Sequence, residues 1–204
     1  MTATNLNFDP EALGRKYQEE RDKRVREDGN DQYQEVTGEF AYFVEDPYIS
    51  SELQREAVDE EVEVVIIGGG FGGMLAAARL REAGIDDFRI IEKGGDFGGT
   101  WYWNRYPGAS CDIESYVYFP LLEDTGFVPK QKYTNAPETL EYCHVIAQQY
   151  RLHEGAMLQT EVTSTDWDEN LNRWVVSTNR QDSIKARFVV HSNGPLNRPK
   201  LPAI

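Results

Sequence analysis

The sequence predicts an α/β fold, and three successive segments of its 204 residues carry that prediction. The run EVEVVII, at 61–67, is β-branched and becomes wholly apolar, as is typical of a buried parallel strand. A glycine-rich turn follows, and FGGMLAAARLREAG then has an apolar side at helical spacing and ends at Gly84. The run DFRIIEK, at 87–93, predicts a second strand. A strand, tight turn, helix and strand in this order form a Rossmann-like βαβ unit.

The last third of the chain predicts further strands. Residues 136–150 have helical spacing with Pro137 in the first turn, and a β-rich region follows. Its three strand-like runs are MLQTEVTSTDW, RWVVSTN and KARFVVHSNG, separated by polar turns. We therefore expect a β-meander in addition to the βαβ unit, and we assign residues 61–204 to one main domain.

Residues 1–60 are predicted to form an N-terminal extension. Residues 10–27 are highly charged with sparse apolar positions, which indicates an exposed or loosely docked helix. This helix is expected to start near Asp9-Pro10 and to stop at Gly29-Asn30. The aromatic residues that follow favour an arm that wraps onto the main domain. A tail that binds a partner is the alternative.

The composition limits the classes of partner and the compartment. A net charge of −14 argues against non-specific binding to nucleic acid or to an anionic membrane. No apolar run approaches the roughly 18 residues of a membrane helix, and the N-terminal segment lacks an apolar signal-peptide core. Cys111 and Cys143 cannot form a disulfide framework or a metal cluster on their own, so we expect free thiols and no metal. We therefore predict a cytoplasmic protein.

The turn GGGFGG, at 68–73, matches the G-x-G-x-x-G pattern between a strand and a helix. Gly68 permits the tight turn, Gly70 lets the backbone approach a pyrophosphate, and Gly73 lets helix and strand pack closely. The helix N-terminus then offers free N–H groups and a partial positive charge to the phosphates. The pattern predicts dinucleotide binding, and a glycine-rich turn that binds nothing is the alternative.

An acidic residue at the end of the second strand completes the pattern. Glu92 lies about 20 positions after the turn, where a carboxylate holds a ribose hydroxyl. Because a carboxylate there repels a 2′-phosphate, the site suits FAD or NAD better than NADP. The chain continues directly into Lys93-Gly94-Gly95 and an aromatic loop, as if a longer ligand extended past the ribose. We therefore favour FAD.

The loop GGDFGGTWYWNRYPGASCDIESY, at 94–116, combines five glycines with large aromatic residues. The glycines let the chain pass close to a bulky ligand, and Trp101 and Trp103 offer apolar area and N–H donors to a flat ring system. Asp112 is suited to tuning a neighbouring charge, and a turn-capping acid is the alternative. For Tyr116 and Phe119 we favour ordinary core packing.

The part of this loop from Gly98 to Tyr116 closely resembles the segment that follows the FAD fingerprint in Baeyer–Villiger monooxygenases. These class B flavoproteins use FAD, NADPH and oxygen to insert an oxygen beside a ketone carbonyl. The resemblance extends to the βαβ unit and to the final run FVVHSNGPLNRPKLPAI, and the N-terminal arm resembles an extension found in a subset of the family. Ser192-Asn193 stands where the family usually has Ala-Thr, and the turn glycine that follows is kept.

The resemblance implies roles for individual residues of this chain. It places Glu92 on the adenosine ribose, the backbone of Val162 at the adenine, and Tyr118 on the flavin side. It places Asp112 beside the isoalloxazine, where the acid of the family helps to orient a catalytic arginine, which makes Asp112 the candidate catalytic residue. The residues implied to line the flavin site are Thr100, Trp101, Tyr102 and Trp103. The residues implied to border the nicotinamide are Ser110, Cys111 and Asp112.

The second half of the chemistry of the family has no counterpart in these residues. The resemblance implies a second glycine fingerprint for NADPH, a catalytic arginine and a signature with histidine and tryptophan, and we find none of them in this sequence. We therefore expect a sheet that is incomplete relative to the full family fold, and an isolated chain that is inactive on the small-molecule ketone. The first hypothesis is the N-terminal FAD-binding part of a Baeyer–Villiger-type monooxygenase. The second is a flavin-binding remnant, or a subunit that needs a partner, and the oligomeric state stays open.

Overall fold

The computed structural model describes residues 8–202, which divide into two units. In the first unit, residues up to Val44 and from Pro199 onward, helix α1 spans Pro10–Asp22. Strand β1, Tyr33–Glu35, pairs antiparallel with the last strand, β8, at Lys200–Pro202. Short 3-10 segments cover 29–32 and 38–44. The parts of our assignments that fall on residues 1–7, 203 and 204 lie outside the described residues.

Helix α1 begins where the sequence predicts and ends earlier. The Asp9 carboxylate accepts hydrogen bonds from the backbone N–H groups of Glu11 and Ala12, at 2.9 and 3.3 Å, and Pro10 occupies the first turn. The helix ends at Asp22, although its charged pattern continues to Glu27. Residues 23–27 are all exposed, so no buried apolar contact supports a continuation of the helix.

The second unit, Glu45–Arg198, contains a six-stranded sheet in the order β4-β3-β2-β7-β6-β5. Strand β2 pairs in parallel with β3 on one side and with β7 on the other, and β5, β6 and β7 form an antiparallel meander. This confirms the predicted α/β fold, with the meander continuing the parallel sheet. The strands span Asp59–Ile67 (β2), Phe88–Ile91 (β3), Ala156–Met157 (β4), Val162–Asp168 (β5), Arg173–Thr178 (β6) and Ser183–His191 (β7).

The run MLQTEVTSTDW forms two strands, although the sequence predicts one. Met157 belongs to β4 and pairs with Ile91 of β3, whereas 162–168 belongs to β5 and pairs with β6. Gln159 lies between them with a φ of 50°, a left-handed conformation that ends an extended strand. The chain therefore leaves the parallel part of the sheet and enters its antiparallel part within a few residues.

The helices of this unit cover the sheet and build the main core. The two long helices are α2, Phe71–Glu82, and α6, Ala136–Gln149, and three single turns lie between them: Thr100–Trp103 (α3), Ser115–Tyr118 (α4) and Leu122–Thr125 (α5). Ile66 of β2, Met74 of α2 and Ile146 of α6 belong to one buried cluster, and Val65 of β2 belongs to a second. Neighbouring residues of β2 are therefore buried in different clusters, which explains its continuous apolar run.

Two further observations concern exposure. Phe119 is buried, as expected, but the expectation that Tyr116 packs in the core is wrong, because its side chain is 60% exposed. The Tyr116 hydroxyl donates a hydrogen bond to Glu114 at the surface. Within residues 8–202, every helix is too short or too polar to cross a bilayer.

Candidate functional site

A cavity of about 720 Å³ opens at the carboxyl ends of β2, β3 and β7. In open α/β sheets, ligands bind outside the carboxyl ends of the parallel strands, and β3, β2 and β7 are parallel neighbours here. The volume falls within the roughly 300–1,000 Å³ range of small-molecule and cofactor sites. The lining comes from residues 67, 68 and 70–72 of the turn, the end of β3 at 91–93, residues 98–101 and 103 of the loop, Tyr118, and the segments 160–165 and 191–198.

The glycine turn forms one wall of this cavity by close backbone contact. Gly68 has a φ of 105°, and a Cβ there would lie 2.6 Å from the carbonyl oxygen of Ser192. A Cβ on Gly99, whose φ is 53°, would lie 2.6 Å from the Cα of Gly70. Gly68, Gly70 and Gly99 all line the cavity, whereas Gly73 lies behind it. The two glycine segments therefore meet backbone to backbone with no room for a side chain between them.

The N-terminus of α2 opens onto the same cavity. Its N-cap is Gly70, which supplies no side-chain hydrogen bond, and Phe71 and Gly72 line the cavity. The first N–H groups of a helix have no partner within the helix, and the helix dipole adds a partial positive charge there. This end of the helix is therefore suited to a phosphate, as the glycine pattern predicts.

Glu92 lines the cavity and joins the glycine turn to the start of the aromatic loop. The carboxylate accepts hydrogen bonds from the Gly69 N–H at 2.6 Å and from the Gly94 N–H at 2.7 Å. Burial raises the pKa of Glu92 above its ordinary value, although both N–H groups favour the charged form. Each carboxylate oxygen has a further lone pair, so Glu92 can still accept a hydrogen bond from a ligand hydroxyl.

Aromatic side chains form a second part of the cavity, which we call the aromatic end. Trp101 donates from Nε1 to the Tyr118 hydroxyl at 3.1 Å, and their rings meet edge to face with centroids 5.9 Å apart. Trp103 also lines the cavity, and the Lys93 Nζ lies 4.8 Å from the centroid of its ring. Thr100 and Val162 complete the set of predicted residues found in the lining. This end can hold a flat, mostly apolar group.

Lys93 was not among the predicted site residues. Its Nζ donates to the backbone carbonyl of Asn197 at 2.8 Å, and burial lowers the pKa of this amine. Thr160, Ser192 and Asn193 also line the cavity. The signal that would have found Lys93 and Ser192 is their position directly after parallel strands, where the chain reaches the carboxyl edge of the sheet.

Five predicted residues lie outside the lining of this cavity, as far as residues 8–202 define it: Gly73, Tyr102, Ser110, Cys111 and Asp112. Ser110 and Asp112 are exposed, and the buried Cys111 lies with its Sγ 3.7 Å from Thr139 Oγ1. The Cys111 N–H donates to the Thr134 carbonyl at 2.8 Å, so this part of the chain lies alongside the segment that precedes α6. Burial raises the pKa of the Cys111 thiol. The functional roles of all the predicted site residues, inside and outside the lining, stay predictions.

The fold and the cavity define a dinucleotide-binding protein of the Rossmann type. A family model described as an NAD(P)-binding Rossmann-like domain matches residues 66–125. The chain is 52% identical over 197 residues to neopentalenolactone D synthase of Streptomyces avermitilis. It is 46% identical over 198 residues to a Baeyer–Villiger monooxygenase of Streptomyces coelicolor. Each alignment covers 96% of this chain and 33% of the relative.

A solved structure agrees with these relatives. The polycyclic ketone monooxygenase of the thermophilic fungus Thermothelomyces thermophila superposes with a TM-score of 0.84 at 36% identity, over 95% of this chain and 34% of that one. The chain belongs to the Baeyer–Villiger monooxygenase family, and it spans about a third of the length of these relatives.

Proposed function

We propose that this chain is the FAD-binding part of a Baeyer–Villiger-type monooxygenase that uses NADPH and oxygen to convert a ketone into an ester or lactone. The observation that carries the proposal is a cavity lined jointly by the glycine turn, Glu92 and the aromatic end. The NADPH site is proposed to lie mainly in the two thirds of the length of these relatives that this chain does not span. A cytoplasmic location is part of the proposal, and the free, buried thiols of Cys111 and Cys143 support it.

The geometry favours FAD over a nicotinamide cofactor in this cavity. The backbone contact between Gly70 and Gly99 leaves the space beside the turn free of side chains, which suits the close approach of a pyrophosphate. The same cavity is lined by Glu92, Trp101 and Trp103, so a fused ring system can lie against the two indoles. The buried carboxylate of Glu92 disfavours a 2′-phosphate on the ribose. When bound, FAD would supply the electron-transfer chemistry, which these residues cannot.

The residues of this chain would bind and orient the cofactor. The N–H groups at the start of α2 would donate to the pyrophosphate, and Glu92 would accept hydrogen bonds from the adenosine ribose. Trp101 and Trp103 would cover the ring system and exclude water from it. We retain Asp112 as the candidate catalytic residue, with the family resemblance as its support.

The test is a titration of the purified 204-residue chain with FAD, followed by flavin fluorescence. We expect the parent chain to bind FAD and Glu92→Gln to bind it more weakly by at least about tenfold, because one strong charge-assisted acceptor is lost. Glu123→Gln is the matched control, since Glu123 is exposed and lies outside the lining of the cavity. A parent chain that does not bind FAD, or equal affinities of the two variants, would contradict the proposed site.

A further inference from the structure

The segment from Asp46 to Val58, which we call the strap, contacts the aromatic loop within the second unit. Tyr102 is the point of contact, and it lies in α3 between two tryptophans that line the cavity. Tyr102 is itself outside the lining and only 3% exposed. Its side chain therefore packs within the protein, while Trp101 and Trp103 on either side of it face the cavity.

Asp46 holds the loop through two hydrogen bonds. Its Oδ2 accepts from the Tyr102 hydroxyl at 2.7 Å and from the Gly95 N–H at 2.9 Å. The Gly95 N–H also lies 3.0 Å from the Tyr102 hydroxyl oxygen, so the three groups form a closed triangle. Burial, together with the bond to Asp46, raises the pKa of Tyr102, which keeps the hydroxyl protonated as a donor.

Packing around this triangle is close. The Arg105 guanidinium lies 3.8 Å from the centroid of the Tyr48 ring and 4.6 Å from that of Tyr102, and its Nε donates to the Tyr102 carbonyl at 2.8 Å. A Cβ on Gly95 would lie 2.5 Å from Ile49 Cγ2. The strap thus contacts both the side chain of Tyr102 and the backbone at the start of the loop.

The other end of the strap is hydrogen-bonded to the connections between strands of the sheet. The Leu53 N–H donates to Gln159 Oε1 at 2.8 Å, and Arg180 Nη1 donates to the Leu53 carbonyl at 2.7 Å. Arg55 forms a bidentate pair with the buried Asp182, with both N···O distances at 2.6 Å. Because the sheet fixes one end of the strap, Asp46 has a defined position from which to hold the loop.

We propose that Asp46 is a positioning residue of the FAD site, acting through Tyr102 and Gly95 to hold Trp101 and Trp103 against the cavity. This inference rests on the proposed function. A four-residue helical turn has little stability of its own, so α3 needs tertiary contacts to keep its orientation. The Asp46 carboxylate supplies such a contact to the one aromatic residue of α3 that does not line the cavity.

The experiment compares Asp46→Asn with Glu52→Gln, an exposed acid on the same strap that keeps the change of charge matched. FAD affinity is measured at a temperature well below the thermal unfolding midpoint of every variant. Near-UV circular dichroism of the cofactor-free protein reports the packing of the aromatic loop. We expect Asp46→Asn to bind FAD about tenfold more weakly than the parent and to change the near-UV spectrum, because it loses a charged acceptor. Glu52→Gln should match the parent in both measurements.

A second variant keeps the test valid if Asp46→Asn folds poorly. Tyr102→Phe retains the ring and removes the hydroxyl, and it should weaken FAD binding by a similar factor. The double variant should lose less than the product of the two single losses, because both remove the same interaction. An Asp46→Asn or Tyr102→Phe protein that is less stable but binds FAD as tightly as the parent overturns the positioning role alone. A parent chain that fails to bind FAD overturns the proposed site, and the positioning role with it.

Discussion

Two neighbouring glycines of α2, Gly72 and Gly73, should respond very differently to replacement by alanine. A Cβ on Gly73 would lie 1.9 Å from the carbonyl oxygen of Gly68 and 3.3 Å from Ile66 Cγ2. Carbon atoms do not approach a backbone oxygen so closely, so either the helix or the glycine turn must move by about an ångström. Overpacking of this kind destabilises a protein by about 1–3 kcal/mol or more. Because the neighbouring atom belongs to the rigid backbone, we expect Gly73→Ala to lower the free energy of unfolding by about 3 kcal/mol.

Gly72 occupies the adjacent position but has space for a side chain. A Cβ added there would have Cβ and Oγ of Ser192 as its nearest neighbours, both at 3.6 Å, an ordinary van der Waals distance. Alanine is preferred over glycine in a helix by about 0.5–1 kcal/mol. Gly72→Ala should therefore be neutral or more stable by up to about 1 kcal/mol, which separates the two variants by about 3–4 kcal/mol.

Urea unfolding of the cofactor-free chain, followed by far-UV circular dichroism, measures this difference. The two variants should have different midpoints and the same dependence of the unfolding free energy on urea, since both expose the same surface on unfolding. Free energies of unfolding within about 1 kcal/mol of each other, or a greater loss for Gly72→Ala, would refute the close approach of α2 to the turn.

Three further outcomes are expected. The Arg55 guanidinium lowers the pKa of Asp182 from 3.8 to about 2, so this carboxylate contributes about 2 kcal/mol of stability that is fully present above pH 3.8 and is lost as the pH falls through 2. Urea midpoints measured across this range should show that loss in the parent and a much smaller one in Arg55→Gln. Burial raises the pKa of the thiols of Cys111 and Cys143, so iodoacetamide at neutral pH should label both only after unfolding, and rapid native labelling would contradict their burial. The FAD-loaded chain supplied with NADPH should not convert a cyclic ketone into a lactone, and lactone detected by gas chromatography would show that a third of the family length suffices.

The parts of the fold that follow local patterns could be predicted from the sequence. The apolar run of β2 and the glycine turn are read from consecutive residues, because burial on both faces and a tight turn each demand particular residue types in order. The break at Gln159 gave no such signal, since its left-handed conformation depends on hydrogen bonds to distant segments. The single helical turn α3 was likewise hidden in a glycine-rich loop.

The site was predictable to the same extent. Glu92, Trp101 and Trp103 could be predicted, because the fingerprint and the composition of the loop mark them directly. All three are found in the lining. The orientation of Tyr102 could not be predicted, because it depends on Asp46, which is distant along the chain. An aromatic residue in a loop carries no sequence signal for the side of the backbone on which it lies.

The start of the aromatic loop shows why acids and glycines occur together there. The N–H groups of the consecutive residues Gly94 and Gly95 are held by two different carboxylates, those of Glu92 and Asp46. A Cβ on Gly94 would lie 2.9 Å from the Tyr102 ring, so this backbone can meet both acids only because it carries no side chains. The fingerprint predicts a ribose contact for Glu92, and its bonds to Gly69 and Gly94 also join the glycine turn to the aromatic loop. A shorter aspartate at this position would reach the two N–H groups less well, so the geometry accounts for glutamate rather than for acidity alone.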